Sequence, residues 1–215
     1  MPTPSLMFPA DVLIAYSLAA MLIVIAPGPG NILTISRGLS QGRLAAALSA
    51  IGAGLGIMVH TTATALGLAL VLQTSPLAFW VVKVVGAAYL LWLGVKAIAS
   101  RNLIAFTARD RQPLRRVFMT GLLTNVLNPM VGLFVVAFIP QFVAVERGSV
   151  LLQMLVYGAL FSAVTVTVFS VLGGFAARLS RWLSARPRVV AGVNVAAGLT
   201  FVSAGLSILA LDNRR

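Results

Sequence analysis

Cysteine is absent from this chain and histidine occurs once, at His60. Disulfides, thiolate metal sites and zinc clusters are excluded on that ground. Acidic residues are almost as scarce, with Asp11, Asp110, Glu146 and Asp212 the four among 215 residues. There is no carboxylate pair, no HExxH helix and no Ser-His pair, so no residue reads as catalytic. A phosphate-binding Gly-Lys-Ser/Thr motif is also missing, which excludes ATP hydrolysis, and no cofactor is expected. No Lys or Arg precedes Arg37, so the basic n-region of a cleavable signal peptide is lacking and the first hydrophobic run is expected to remain as a span.

Charge of any kind is sparse. Only 9% of residues are charged against 60% hydrophobic, and the mean hydropathy is +1.01. Soluble domains carry about 25% charged residues, so this is a membrane composition. The net charge of +12 would suggest nucleic acid in a soluble protein. Here the basic residues cluster in alternate loops, where anionic lipid head groups of the bilayer are the natural partner and nucleic acid is not.

Six runs are long enough to cross a bilayer, at about 12–36, 44–72, 77–98, 117–139, 150–177 and 189–211. Arg37 and Arg43 follow the first. Lys96, Arg101, Arg109, Arg111, Arg115 and Arg116 follow the third, and Arg178, Arg181, Arg186 and Arg188 the fifth. These twelve oppose Arg147, Arg214 and Arg215, which predicts both termini outside and the three basic loops in the cytoplasm. The expected fold is all-α and integral to the membrane: one transmembrane domain over 1–215, in halves of about 1–98 and 117–211 joined by a basic cytoplasmic loop at about 99–116. Three spans per half face opposite ways, as inverted repeats do. Gly86-Ala87-Ala88 with Gly94 is faintly repeated by Ala196-Ala197-Gly198 with Gly205.

The first and fourth spans carry the conspicuous breaks. Pro27-Gly28-Pro29-Gly30-Asn31 sits inside an apolar run; two prolines remove donors and two glycines ease departure from helical geometry. Irregular backbone at membrane depth is tolerated only where protein or a water-filled cavity satisfies it, and a broken helix marks a transport site. The half-helix starting near Asn31 would aim its N-terminus at a substrate carboxylate. Asn125, Asn128 and Pro129 are the counterpart in span four. Pro129 deprives the Asn125 carbonyl of its helical donor, so that carbonyl and the Asn side chains would meet a substrate ammonium.

Two readings fit Lys83, the one charge well inside a span: a carboxylate-binding or proton-linked role, or snorkelling to the interface. His60 fits either proton exchange or a hydrogen bond to a neighbour. Gly52 and Gly56 form a small-xxx-small pair for close helix packing. Arg37 and Arg43 read as topogenic, Trp80 and Trp182 as interface anchors, and Trp92 and Tyr89 as packing or cavity wall.

Pro27-Gly28-Pro29, Arg37-Gly38, Gly42-Arg43 and Gly52-Ala53-Gly54-Leu55-Gly56 together resemble the N-terminal signature of the LysE/RhtB superfamily of amino-acid exporters. The likeness continues through Lys83 to Gly94, Asn125-Val126-Leu127-Asn128-Pro129 and Phe138-Ile139-Pro140-Gln141-Phe142. Relatives usually carry Lys where this chain has Met130, and some place a carboxylate in the fifth span, where Thr165 and Thr167 stand here. The resemblance implies a secondary exporter of amino acids or similar small zwitterions in the bacterial inner membrane, driven by the proton gradient. A channel or a structural membrane subunit is the alternative. The sequence is compatible with a homo-oligomer.

Overall fold

A backbone in hydrocarbon has no water to bond, so an apolar chain without strand alternation satisfies its N–H and C=O groups inside helices. The computed structural model describes residues 7–25, 28–74, 76–99, 110–176, 178, 182 and 186–211. They form eight α-helices: α1 (Ala10–Ile25), α2 (Pro29–Gln41), α3 (Arg43–Thr74), α4 (Pro76–Ala99), α5 (Leu114–Val126), α6 (Pro129–Phe138), α7 (Val150–Gly174) and α8 (Pro187–Leu211). Two 3-10 turns, Ile139–Phe142 and Val145–Arg147, lead from α6 to α7, and no strand occurs among the described residues. Stretches of α3 (Arg43–Gly67) and α7 (Val150–Gly174) are each long and apolar enough to cross a membrane. Two bent pairs raise the number to four when each pair is counted as one span. One joins α1 to α2 at 61°, the other α5 to α6 at 60°. Shorter apolar stretches, Val84–Lys96 and Ala191–Ser203, lie within α4 and α8.

The local chemistry of the two restarts is alike. Pro29 and Pro129 each take the first helical position, where a missing N–H costs nothing and the fixed φ suits the helix. At the first, the Asn31 Oδ1 accepts the Gly28 N–H at 2.9 Å. At the second, the Asn128 Oδ1 accepts the Met130 N–H at 3.0 Å as an N-cap. α2 stops at Gly42, whose φ of +83° is left-handed and suits glycine, and whose N–H returns to the Gly38 carbonyl at 3.0 Å.

α3 is the central element, packed along α7 on one side and α5 on another, while α4 runs against α8. Small residues permit these approaches. A Cβ on Gly56 would fall 2.6 Å from the Asn125 Cβ, and one on Gly52 would run into the α5 backbone at Phe118 and Leu122. Gly94 and Gly198 face each other between α4 and α8, each placing its carbonyl oxygen 2.7 Å from where the other's Cβ would be. Contacts of this kind bring helices together where lipid offers no hydrophobic drive.

Large apolar side chains are exposed, and several polar ones are buried alongside an apolar core. Val85 and Leu199 are 62% and 56% exposed, while Asn31, Thr34, Ser49, Thr61, Asn125, Gln153, Thr165 and Asn194 are buried. Aromatic rings fill one end of the interior: Tyr16 lies 4.8 Å from Tyr157 between centroids and 5.4 Å from Phe138, and Phe134 lies 4.9 Å from Phe138. The Tyr16 hydroxyl donates to the Tyr157 carbonyl at 2.7 Å. Elsewhere the seal is polar. Arg37, assigned to a loop by its charge, instead belongs to α2 and is 2% exposed. It donates to the Asp110 carbonyl at 2.9 Å and to the Gln112 Oε1 at 2.7 Å. Gln41 and Gln112 exchange two further bonds, Nε2 to carbonyl at 2.7 Å and N–H to Oε1 at 3.0 Å. The residues preceding α5 fold onto α2 and supply acceptors that a charge count does not reveal.

Candidate functional site

The two breaks face one cavity of about 330 Å³. Gly28, Gly30 and Asn31 line it from the start of α2, and Asn125 and Asn128 from the end of α5 and the cap of α6. They approach each other directly, since a Cβ on Gly30 would lie 3.5 Å from the Asn125 Nδ2 and 3.0 Å from the Phe169 ring. Ile23 and Val24, in the last turn of α1, complete the wall beside the first break.

Other predicted residues fall elsewhere. Pro27 lies outside the described residues; Pro29 and Pro129 open their helices, and their side chains lie outside what is described. The backbone of Lys83 is in α4, but its side chain lies outside what is described. Gly52 and Gly56 stand at the α3–α5 contact. His60 is behind the second break: its Nε2 is 3.1 Å from the Asn125 carbonyl oxygen, and Gly132 of α6 covers its ring. That contact corrects one expectation. The Asn125 carbonyl, reckoned free for substrate because of Pro129, also accepts the Asn128 N–H at 3.1 Å. The Asn128 carbonyl accepts from Val131 at 3.1 Å and Gly132 at 3.3 Å. Both are satisfied within the protein because α6 restarts at once and α3 brings His60 alongside. Trp92 is likewise not cavity wall; it is half exposed, stacked on Tyr89 at 5.7 Å.

Three polar residues of the lining were not singled out as binding residues. Thr165 lies between Phe161 and Phe169 at intervals of four, one stripe of α7. Its hydroxyl donates to the Phe161 carbonyl at 2.8 Å, which leaves its oxygen as an acceptor. Asn194 is buried on α8, seven residues before Phe201, which also lines. A lone amide in an apolar run was the available signal. Lys96 lines the cavity three residues after Leu93, the spacing of one helical face.

The electrostatics have one sign. Among the described residues, Lys96 is the charged side chain of the lining, and no Asp or Glu is part of it. The N-terminal turns of α2 and α6, each equivalent to about half a positive charge, open at the same space. The last turn of α1 offers the complement, because final helical carbonyls lack intrahelical donors. Phe134, Phe161, Phe169 and Phe201 supply apolar walls. Such a cavity can hold a carboxylate at one break, an ammonium on neutral oxygens, and an uncharged remainder among rings.

The family described as LysE type translocator matches residues 21–211. An uncharacterized membrane protein of Vibrio cholerae serotype O1 is 32% identical over 196 residues, covering 90% of this chain and 94% of that protein. A homoserine/homoserine lactone efflux protein of Salmonella typhi is 30% identical over 192 residues, 89% of this chain and 92% of its own. A leucine efflux protein of Enterobacter sp. (strain 638) is 29% identical over 189 residues, covering 87% and 90%. No solved structure matches the chain significantly. With a match from the end of α1 through α8, the chain belongs to the LysE type translocator family.

Proposed function

We propose that this protein is a secondary exporter of amino acids or similar small zwitterions from the bacterial cytoplasm, working by alternating access on the proton gradient. The observation that carries the reading is the meeting of both helix breaks at one cavity whose lining, among the described residues, holds amides and a cation and no carboxylate. Its volume, about 330 Å³, stands at the low end of the roughly 300–1,000 Å³ of small-molecule sites and suits one amino acid better than a peptide. The substrate carboxylate meets the first turn of α2 at Gly30 and Asn31. Its ammonium meets the closing carbonyls of α1 and the Thr165 oxygen, in place of the Asn125 carbonyl that His60 occupies.

In this reading α1 with α2, α3, α4, α5 with α6, α7 and α8 are six spans in two inverted repeats, the first of each broken at proline, with both termini outside. The similar bends of 61° and 60° support it, as do the pairings of α3 with α7 and α4 with α8, each helix against its counterpart in the other half. His60 is the ionisable group touching a break and is the candidate for proton coupling, with Lys83 the second. The test is counterflow of labelled amino acids in proteoliposomes. Asn31→Leu lowers it about tenfold, the order of one lost hydrogen bond, while membrane insertion stays intact. Unsaturable downhill flux without counterflow identifies a channel instead, and no flux of any amino acid removes the proposal.

A further inference from the structure

We infer that Lys96 is a substrate-recognising residue: its ammonium meets the substrate carboxylate at the mouth of the cavity and selects acids over their esters and lactones. The inference rests on the exporter reading for its substrate class. Lys96 follows a cytoplasmic-loop pattern in sequence, and lipid anchoring would account for its charge alone. Its placement goes further. It is exposed yet lines the cavity, so the cavity reaches the surface beside it. Leu93, on the same face, lines the cavity too, so this side of α4 is turned to the cavity rather than to lipid.

What holds the ammonium is a neutral ring. The Nζ sits 4.7 Å from the centre of the Trp92 ring, and Trp92 is half exposed. A cation–π contact at an exposed site is weaker than a charge-assisted hydrogen bond to a carboxylate. No Asp or Glu of the described residues lines the cavity to compete for the charge. An arriving carboxylate therefore draws the ammonium off the indole, and the acid is handed from a flexible cation to the fixed N-terminal turn of α2. An ester or lactone presents no such anion and gains nothing from Lys96.

Trp92 reports the event. In a Trp80→Phe/Trp182→Phe background it is the one tryptophan left, and its fluorescence is titrated with L-leucine and with L-leucine methyl ester in purified protein. L-Leucine changes the emission and the ester does not. Lys96→Gln abolishes the response to L-leucine, and Lys96→Arg restores it; Arg115→Gln, on the exposed start of α5, leaves it intact. In proteoliposomes the half-saturating L-leucine concentration rises about tenfold in Lys96→Gln, a loss of about 1.4 kcal/mol, with that for the ester unmoved. Equal responses to acid and ester, a Lys96→Gln protein that responds as wild type, or no response to either probe overturns the inference. Counterflow without the Trp92 signal leaves the exporter standing and removes Lys96 from it; the signal without counterflow does the reverse.

Discussion

Replacing Gly56 by alanine adds one methyl at the point where α3 crosses α5. The methyl would lie 2.6 Å from the Asn125 Cβ, 3.0 Å from the Leu122 oxygen and 3.2 Å from the Val126 nitrogen. Carbon atoms in favourable contact stand about 3.5–4.0 Å apart, so the shortfall is about 1 Å. Each of the three neighbours is backbone or bonded directly to it, and no change of rotamer relieves the clash. The helices must part, or Asn125 must move. Overpacking of this kind costs about 1–3 kcal/mol, set against the roughly 1 kcal/mol by which alanine favours helix over glycine. Gly67→Ala isolates that second quantity, because nothing lies within 4 Å of its added carbon. Thermal unfolding in detergent is therefore expected to place Gly56→Ala below Gly67→Ala by the cost of the clash. Transport separates them further, since a displacement of about 1 Å at a binding constellation costs on the order of a hundredfold in enzymes. Counterflow at Gly56→Ala is expected to fall by about tenfold or more, with Gly67→Ala near wild type. A Gly56→Ala protein that melts with Gly67→Ala and transports normally would show that α3 and α5 do not meet at this residue.

Two further outcomes are open to measurement. Arg37→Met removes two short bonds from a buried guanidinium, each hydrogen bond to a charged group being worth about 1.5–3 kcal/mol; melting falls, and a cycle with Gln112→Ala gives a coupling of about 1–3 kcal/mol. Additive losses in that cycle would mean the two side chains act separately. Asn128→Ala deletes the cap of α6, lowering stability by about 1 kcal/mol. It also lowers counterflow because Asn128 lines the cavity, and Asn128→Ser, which keeps a cap, regains the stability without regaining the counterflow.

The helical character of the chain was legible because hydropathy and the lack of strand alternation both demand it. That helices begin at Pro29 and Pro129 was legible too, since proline without an N–H suits a first helical position and little else within a helix; that each interrupts one membrane span belongs to the proposed reading. What could not be read is whatever depends on which helix lies beside which. Lys96 shows why: a cation anchoring lipid and a cation lining a cavity obey the same charge rule, and only the register of α4 against its neighbours separates them. Arg37 carried the same ambiguity and resolved into a buried donor. The occupant of the Asn125 carbonyl was out of reach, because His60 is 65 residues away in sequence. Asn194 left a trace, a single amide in an apolar run, that periodicity with Phe201 would have strengthened.

The grip of Arg37 and Gln41 on Asp110 and Gln112 has a practical corollary. It ties α2 to the residues just before α5 by polar contacts 71 to 75 positions apart in sequence, so substitutions at Gln41 or Gln112 loosen the start of α5 from α2.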